Sequence, residues 1–166
     1  MTQVDTAFNP DDHDLFEAHY FEDFAVGDTF PIPSRTMTDA NFQVFQAASG
    51  DNHPIHYDRE YCRRRGHRDL LAHGFQVAIQ TCPGAGQLPH KLGDAMIAFI
   101  EQSSRFLAPV YADDTLYPRL TITALEPGRT TGVMVLRSTV HNHEGVLVME
   151  GQQKLLLRKR HPDPKN

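Results

Sequence analysis

Asp114–Glu126 reads DTLYPRLTITALE. Its apolar residues Leu120, Ile122 and Ala124 fall at every second position, the period of a strand with one buried face. The same language continues on both sides. Pro127-Gly128 marks a turn, and TGVMVLRSTVHN (131–142) places Met134, Leu136 and Val140 on one face with Ser138 among them. NHEG (142–145) makes a second turn, and VLVMEGQQKLLLRKR (146–160) returns. Upstream, DAMIAFIEQSSRFLAPV (94–110) is a further strand candidate. From Asp94 onward the chain therefore reads as an antiparallel meander.

Before Asp94 the period changes. Thr38 or Asp39 can cap a helix in which Phe42, Phe45 and Ala48 recur at helical spacing, and Gly50 ends it. DREYCRRRGH (58–67) reads as a short helix capped by Asp58 and closed by Gly66. LLAHGFQVAIQTCPGAGQL (70–88) is the most apolar helical segment. Phe75, Ala78, Ile79 and Cys82 share one face, and Pro83-Gly84 stops or kinks it. Thr29–Met37 is an extended segment whose prolines disfavour a central strand. Helices first and paired strands after give an α+β fold class. Residues 1–19 are polar and acidic and read as a loosely held arm, which leaves one domain over 20–160.

The 166 residues are 40% hydrophobic and 22% charged, the balance of a globular protein with a real core. A net charge of −5 argues against a nucleic-acid surface, which needs a positive field. Two cysteines, neither in a CxxC pair, and the lack of a basic-then-apolar leader point to a cytoplasmic location. No apolar run approaches the ~20 residues of a membrane span, so no membrane partner is expected.

SGDNHPIHYD (49–58) concentrates titratable side chains around Pro54. Asp51 and His56 are five apart. In a helix that spacing separates them by about 140°, and in a strand it puts them on opposite faces. A proline-bearing turn can bring them to one space, where a carboxylate and an imidazole flanking one water could do acid–base work. The same residues also read as ordinary turn chemistry, with Asp58 as a helix cap. His53, His56 and Asp58 are possible metal ligands, but Pro54 prevents a helical HxxH face and no further ligand is fixed by spacing. No metal and no cofactor are expected. AHGF (72–75) is the second feature. The amide of Gly74, at the mouth of an apolar helix, could stabilise negative charge on an oxygen. The alternative is a capping or packing glycine. His73 beside it reads as structural.

Three stretches in order, SGDNHPIHYD, LLAHGF and SSRFLAPVYADDTL, make the chain resemble the MaoC-like dehydratases of the hot-dog superfamily, which include the R-specific enoyl-CoA hydratases. With FEDFAVGDTF (21–30) the resemblance covers residues 20 to 158. It implies a central helix wrapped by a curled antiparallel sheet, a homodimer or higher homo-oligomer, and a tunnel at the subunit interface for an acyl-CoA thioester. The family's catalytic aspartate falls on Asp51, its histidine on His56, and the amide that polarises the thioester carbonyl on Gly74. It implies reversible hydration of a 2-enoyl-CoA to an (R)-3-hydroxyacyl-CoA. Two departures stand out. His53 occupies the place before the proline where the family has asparagine, and TCPGAG (81–86) interrupts the central helix after about two turns. A hot-dog thioesterase is the nearest alternative, but Gly74–Cys82 lacks the carboxylate such enzymes commonly carry on this helix. A non-catalytic CoA-binding subunit is the other. Arg105 could pair a substrate carboxylate or be an ordinary surface arginine.

Overall fold

The computed structural model describes Asn9 and residues 19–161; the arm expected over residues 1–19 lies almost wholly outside them. Two short strands come first, β1 (Thr29–Pro31) and β2 (Arg35–Thr36). The extended segment is thus broken at Ile32–Ser34, and both pieces pair only with β4, as its prolines require. Four short helices follow: α1 (Asp39–Ser49), α2 (Arg59–Arg64), α3 (Gly74–Ala78) and α4 (Leu88–Leu92). The long strands are β3 (Met96–Phe106), β4 (Thr115–Pro127), β5 (Thr131–Asn142) and β6 (Leu147–Arg158).

All strands pair antiparallel in one sheet of order β1-β4-β5-β6-β3. The meander is therefore β4–β6 alone. β3 pairs with β6 at the far edge rather than with β4, which follows it in sequence. Leu120 and Ile122 are buried as their alternation requires, but the register slips between Ile122 and Ala124 and leaves Ala124 half-buried. Met134, Leu136, Ser138 and Val140 all face inward. One half of the core packs Met37, Phe42, Val77, Leu116 and Met149 together; the other gathers Phe30, Leu88, Leu120, Met134 and Leu155.

The α3 segment continues as a 3-10 turn over Ile79–Thr81 before Pro83, so the central helix is indeed short. Its orientation reverses the simple reading of its apolar face. Phe75 is 69% and Ile79 55% exposed, and Cys82 is exposed too. The buried side carries Gln76, Val77 and Thr81. Gln153 of β6 explains part of this, because its Nε2 donates to both the carbonyl and the hydroxyl of Thr81 at 3.0 Å. Thr81 is thus satisfied across the core, while Gln153 Oε1 and Gln76 Nε2 find no partner among the described residues. The outward apolar face adjoins β3, whose Met96, Ile97, Phe99, Ile100 and Phe106 are exposed. An apolar belt thus runs from the start of β3 across the outer face of α3 to Phe106.

Candidate active site

Local chemistry shapes the 49–58 loop. Gly50 ends α1 in the left-handed region, at φ +70°, with its N–H on the Gln46 carbonyl. Asn52 accepts from Gln46 Nε2 at 2.7 Å and donates to the Gly50 carbonyl, which ties the loop to α1. Asp51 Oδ1 accepts from the His53 amide at 2.9 Å, an Asx turn. Pro54 opens a single 3-10 turn, Pro54–His56, and His53 Nδ1 accepts from the Ile55 amide at its start. His53 therefore supplies a loop-supporting acceptor. Its ring also stands edge-on to Tyr61. Asp58 caps α2 by accepting from the Tyr61 amide at 2.9 Å, as its position suggests.

The turn delivers His56 to a buried position. Its Nδ1 lies 2.6 Å from the Leu71 carbonyl. A carbonyl only accepts, so Nδ1 carries the proton and the Nε2 lone pair of that tautomer is free. The Leu71 amide in turn donates to the Ile55 carbonyl, which locks this turn to the segment entering α3. That segment is anchored again where the Ala72 amide meets the Val110 carbonyl at 2.8 Å.

The next residues complete the site. His73 is the N-cap of α3, and its Nδ1 accepts from the Phe75 amide at 3.0 Å. Its Nε2 lies 3.1 Å from Asp51 Oδ2. Asp51, His56 and His73 each present a ligand atom within 4.8 Å of the others. A pair of groups that close can share one water. The carboxyl of Asp51 is held below the usual carboxylate range, chiefly by the hydrogen bond it accepts from the His53 amide. It is an anion at neutral pH.

Gly74 sits in the same wall. A Cβ there would come within 2.8 Å of the Phe106 ring, so close approach of that ring explains the glycine. Packing is not all it offers. The Gly74 amide is the first N–H of α3 and finds no acceptor among the described residues, whereas the next amide is taken by His73. A cleft of about 480 Å³ lies between His56, His73 and Gly74 on one side and Phe106–Val110 on the other. A second groove of about 500 Å³ runs along the outer face of α3, past Ile79, Pro83, Met96 and Phe99. Its lining holds no carboxylate, imidazole or amine, whereas His56 and His73 line the first cleft.

Two carboxylate and imidazole groups of the trio could ligate a metal, but the third could not without a cost. The Nδ1 of His73 is an acceptor, which places its ring proton on Nε2, the atom facing the others. His53 and Asp58 turn to caps instead. Arg105 is exposed and pairs with Glu150 at 3.3 Å on the sheet.

Residues 22–143 match the family model of the MaoC like domain. The chain belongs to this family. The MaoC-like chain is 29% identical over 144 residues to an (R)-specific enoyl-CoA hydratase of Rhodospirillum rubrum, covering 86% of this chain and 94% of that enzyme. A monoamine oxidase regulatory protein from Archaeoglobus superposes with a TM-score of 0.79 at 25% identity, over 87% of this chain and 97% of that one. A Mycobacterium tuberculosis protein with a double hot-dog fold superposes at a TM-score of 0.73 and 25% identity, over 90% of this chain and 46% of its own. The sheet wrapped on α3 is a hot-dog fold. No helix among the described residues is long and apolar enough to cross a membrane.

Proposed function

We propose that this MaoC-like protein is a hydro-lyase that reversibly hydrates a 2-enoyl-CoA thioester to the (R)-3-hydroxyacyl-CoA, with Asp51, His56 and the Gly74 amide as its catalytic groups. The observation that carries this reading is the approach of Asp51 and His56 to within 4.8 Å, with the acceptor-free Gly74 amide in the wall that His56 shares. Hydration needs a hydroxyl delivered to C3 and a proton to C2. An anionic carboxylate and an imidazole on one water supply both. Electron density gathers meanwhile on the thioester oxygen, where an N–H at a helix start stabilises it. The similarity to the Rhodospirillum hydratase supports the substrate class and the R configuration.

Crotonyl-CoA tests this directly. The purified protein is expected to remove the absorbance of the conjugated enoyl thioester without releasing thiol, and to regenerate it from (R)-3-hydroxybutyryl-CoA. Thiol release at the same rate would make the protein a thioesterase. No turnover of crotonyl-CoA or of longer enoyl-CoA thioesters would leave a CoA-binding subunit without catalysis.

We further infer a homodimer built on β3. Its outer edge pairs with no strand among the described residues, and an open apolar edge is a surface that proteins cover. The apolar belt reaches from Phe99 through Ile79 and Phe75 to Phe106, which touches the Gly74 position. A subunit on this belt would wall the cleft as well. Light scattering is expected to give a dimer, and Ile97→Glu with Ile100→Glu a monomer of much reduced activity. A wild-type monomer with full turnover would overturn the inference.

A further inference from the structure

His73 makes one hydrogen bond and one close polar contact that constrain each other. One ring nitrogen, Nδ1, accepts from the Phe75 amide at 3.0 Å and so closes the first turn of α3. The cap is reciprocal, since Gln76 Oε1 reaches back to the His73 amide at 3.4 Å. Because Nδ1 accepts, the ring proton sits on Nε2. That nitrogen faces Asp51 Oδ2 at 3.1 Å. The contact therefore sets a proton-bearing ring nitrogen against a carboxylate oxygen. Asp51 is then gripped at both oxygens, Oδ1 by the His53 amide and Oδ2 by His73. The ring is half-buried between Phe45 at 5.2 Å and Phe75 at 5.5 Å, so packing also limits its rotation.

We propose that His73 is a positioning residue which, through one fixed tautomer, joins the Asp51 carboxylate to the helix start that presents the Gly74 amide. This rests on the hydratase reading above. A general base and an oxyanion donor must keep a constant separation, because the reacting carbons and the thioester oxygen are parts of one rigid conjugated unit. Asp51 and Gly74 come from different elements, a loop after α1 and the start of α3. His73 touches both, capping the helix start and lying 3.1 Å from Asp51 Oδ2. It does not reach the substrate in this role, and it neither gains nor loses a proton in the reaction.

Two substitutions separate its contacts. His73→Asn keeps an N-cap acceptor but is too short to donate to Asp51. His73→Gln keeps a donor of similar reach and gives up the cap. With crotonyl-CoA turnover by the wild type established first, His73→Asn is expected to lower kcat by more than ~10-fold, with KM within about twofold and a melting temperature near wild type. The acid limb of its kcat/KM profile should move to higher pH, because Asp51 loses a donor that favours its anion. His73→Gln should retain that limb. In an Asp51→Asn background, His73→Asn should cost little more. A purely structural role would instead lower stability and leave the acid limb in place. A folded His73→Asn protein with wild-type kcat and acid limb overturns the proposal, as does a full additional loss in the Asp51→Asn background. Should the wild type turn over no enoyl-CoA at all, the hydratase reading fails by itself. The Asp51 carboxyl titration, followed by NMR, still decides the contact: an upward shift in His73→Asn supports it and no shift overturns it.

Discussion

Asp51→Asn and His56→Asn should each lower hydration kcat by at least ~100-fold, the scale on which positioned acids and bases act. The geometry sharpens what each change removes. The asparagine at 51 can still accept from the His53 amide, but then its NH2 group faces the Nε2–H of His73, donor against donor. Loss of the base is accompanied by a local mismatch, so the melting temperature belongs in the measurement. At 56, the choice of residue matters. Alanine would strand the Leu71 carbonyl, now bonded at 2.6 Å, and leaving such an acceptor unpaired costs about 1–3 kcal/mol when it is buried. Asparagine can place its Nδ2–H where Nδ1–H was and keeps that bond. It removes only the free Nε2. His56→Asn should therefore match His56→Ala in lost kcat and exceed it in stability. Because both side chains address one water, the double variant should be little slower than the slower single one. Near-wild-type turnover by either single variant, on a substrate the wild type hydrates, would return the loop to simple turn-making.

Much of this site was legible because its causes are local. Gly50 as a left-handed cap, Asp58 as an N-cap and Pro54 as the start of a tight turn all follow from backbone preferences of single residues. Excluding helix and strand at that spacing only permitted Asp51 to approach His56; that the two form a pair was what the family resemblance implied. His73 was the omission. Its contact with Asp51 is tertiary, and no local pattern encodes it. One signal was present: a histidine before an apolar helix with Gln76 at N3 has the spacing of a capping box, and a capping histidine leaves Nε2–H free to donate.

The fold shows the same division between local and distant causes. Alternation identified β4 and β5 correctly. It could not say that β3 joins β6, because strand period fixes faces and not neighbours. Helical spacing likewise grouped Phe75, Ala78, Ile79 and Cys82 on one face; Ala78 is buried, and spacing left open which way the rest of that face points. It points outward because Thr81 on the other side is bonded to Gln153. Apolar residues on an outer face and on an open edge strand are both what the proposed homodimer would cover.

Gly74 offers the other large effect, and two substitutions test it. Gly74→Ala adds a Cβ that would lie 2.8 Å from Phe106 Cε2 and 2.9 Å from Cζ. Those are the far end of a half-exposed side chain that can swing aside, so the variant should fold with altered packing at the cleft. Gly74→Pro adds the same carbon and also deletes the N–H. Proline is well suited to the first position of a helix, and His73 before it already has the extended backbone, φ −65° and ψ 141°, that a following proline demands. The deleted N–H has no acceptor among the described residues, so no bond of the fold is lost. Proline also adds Cγ and Cδ, the latter where the N–H pointed, so the ratio of the two variants reports loss of the amide together with that ring. If that amide receives the enolate oxygen, Gly74→Pro should fall below Gly74→Ala by about 100- to 1,000-fold in kcat, or ~2.7–4 kcal/mol. KM should change little between them, because the charge develops only on the way to the transition state. Equal kcat in two folded variants would assign Gly74 to its packing against Phe106 and remove the oxyanion role.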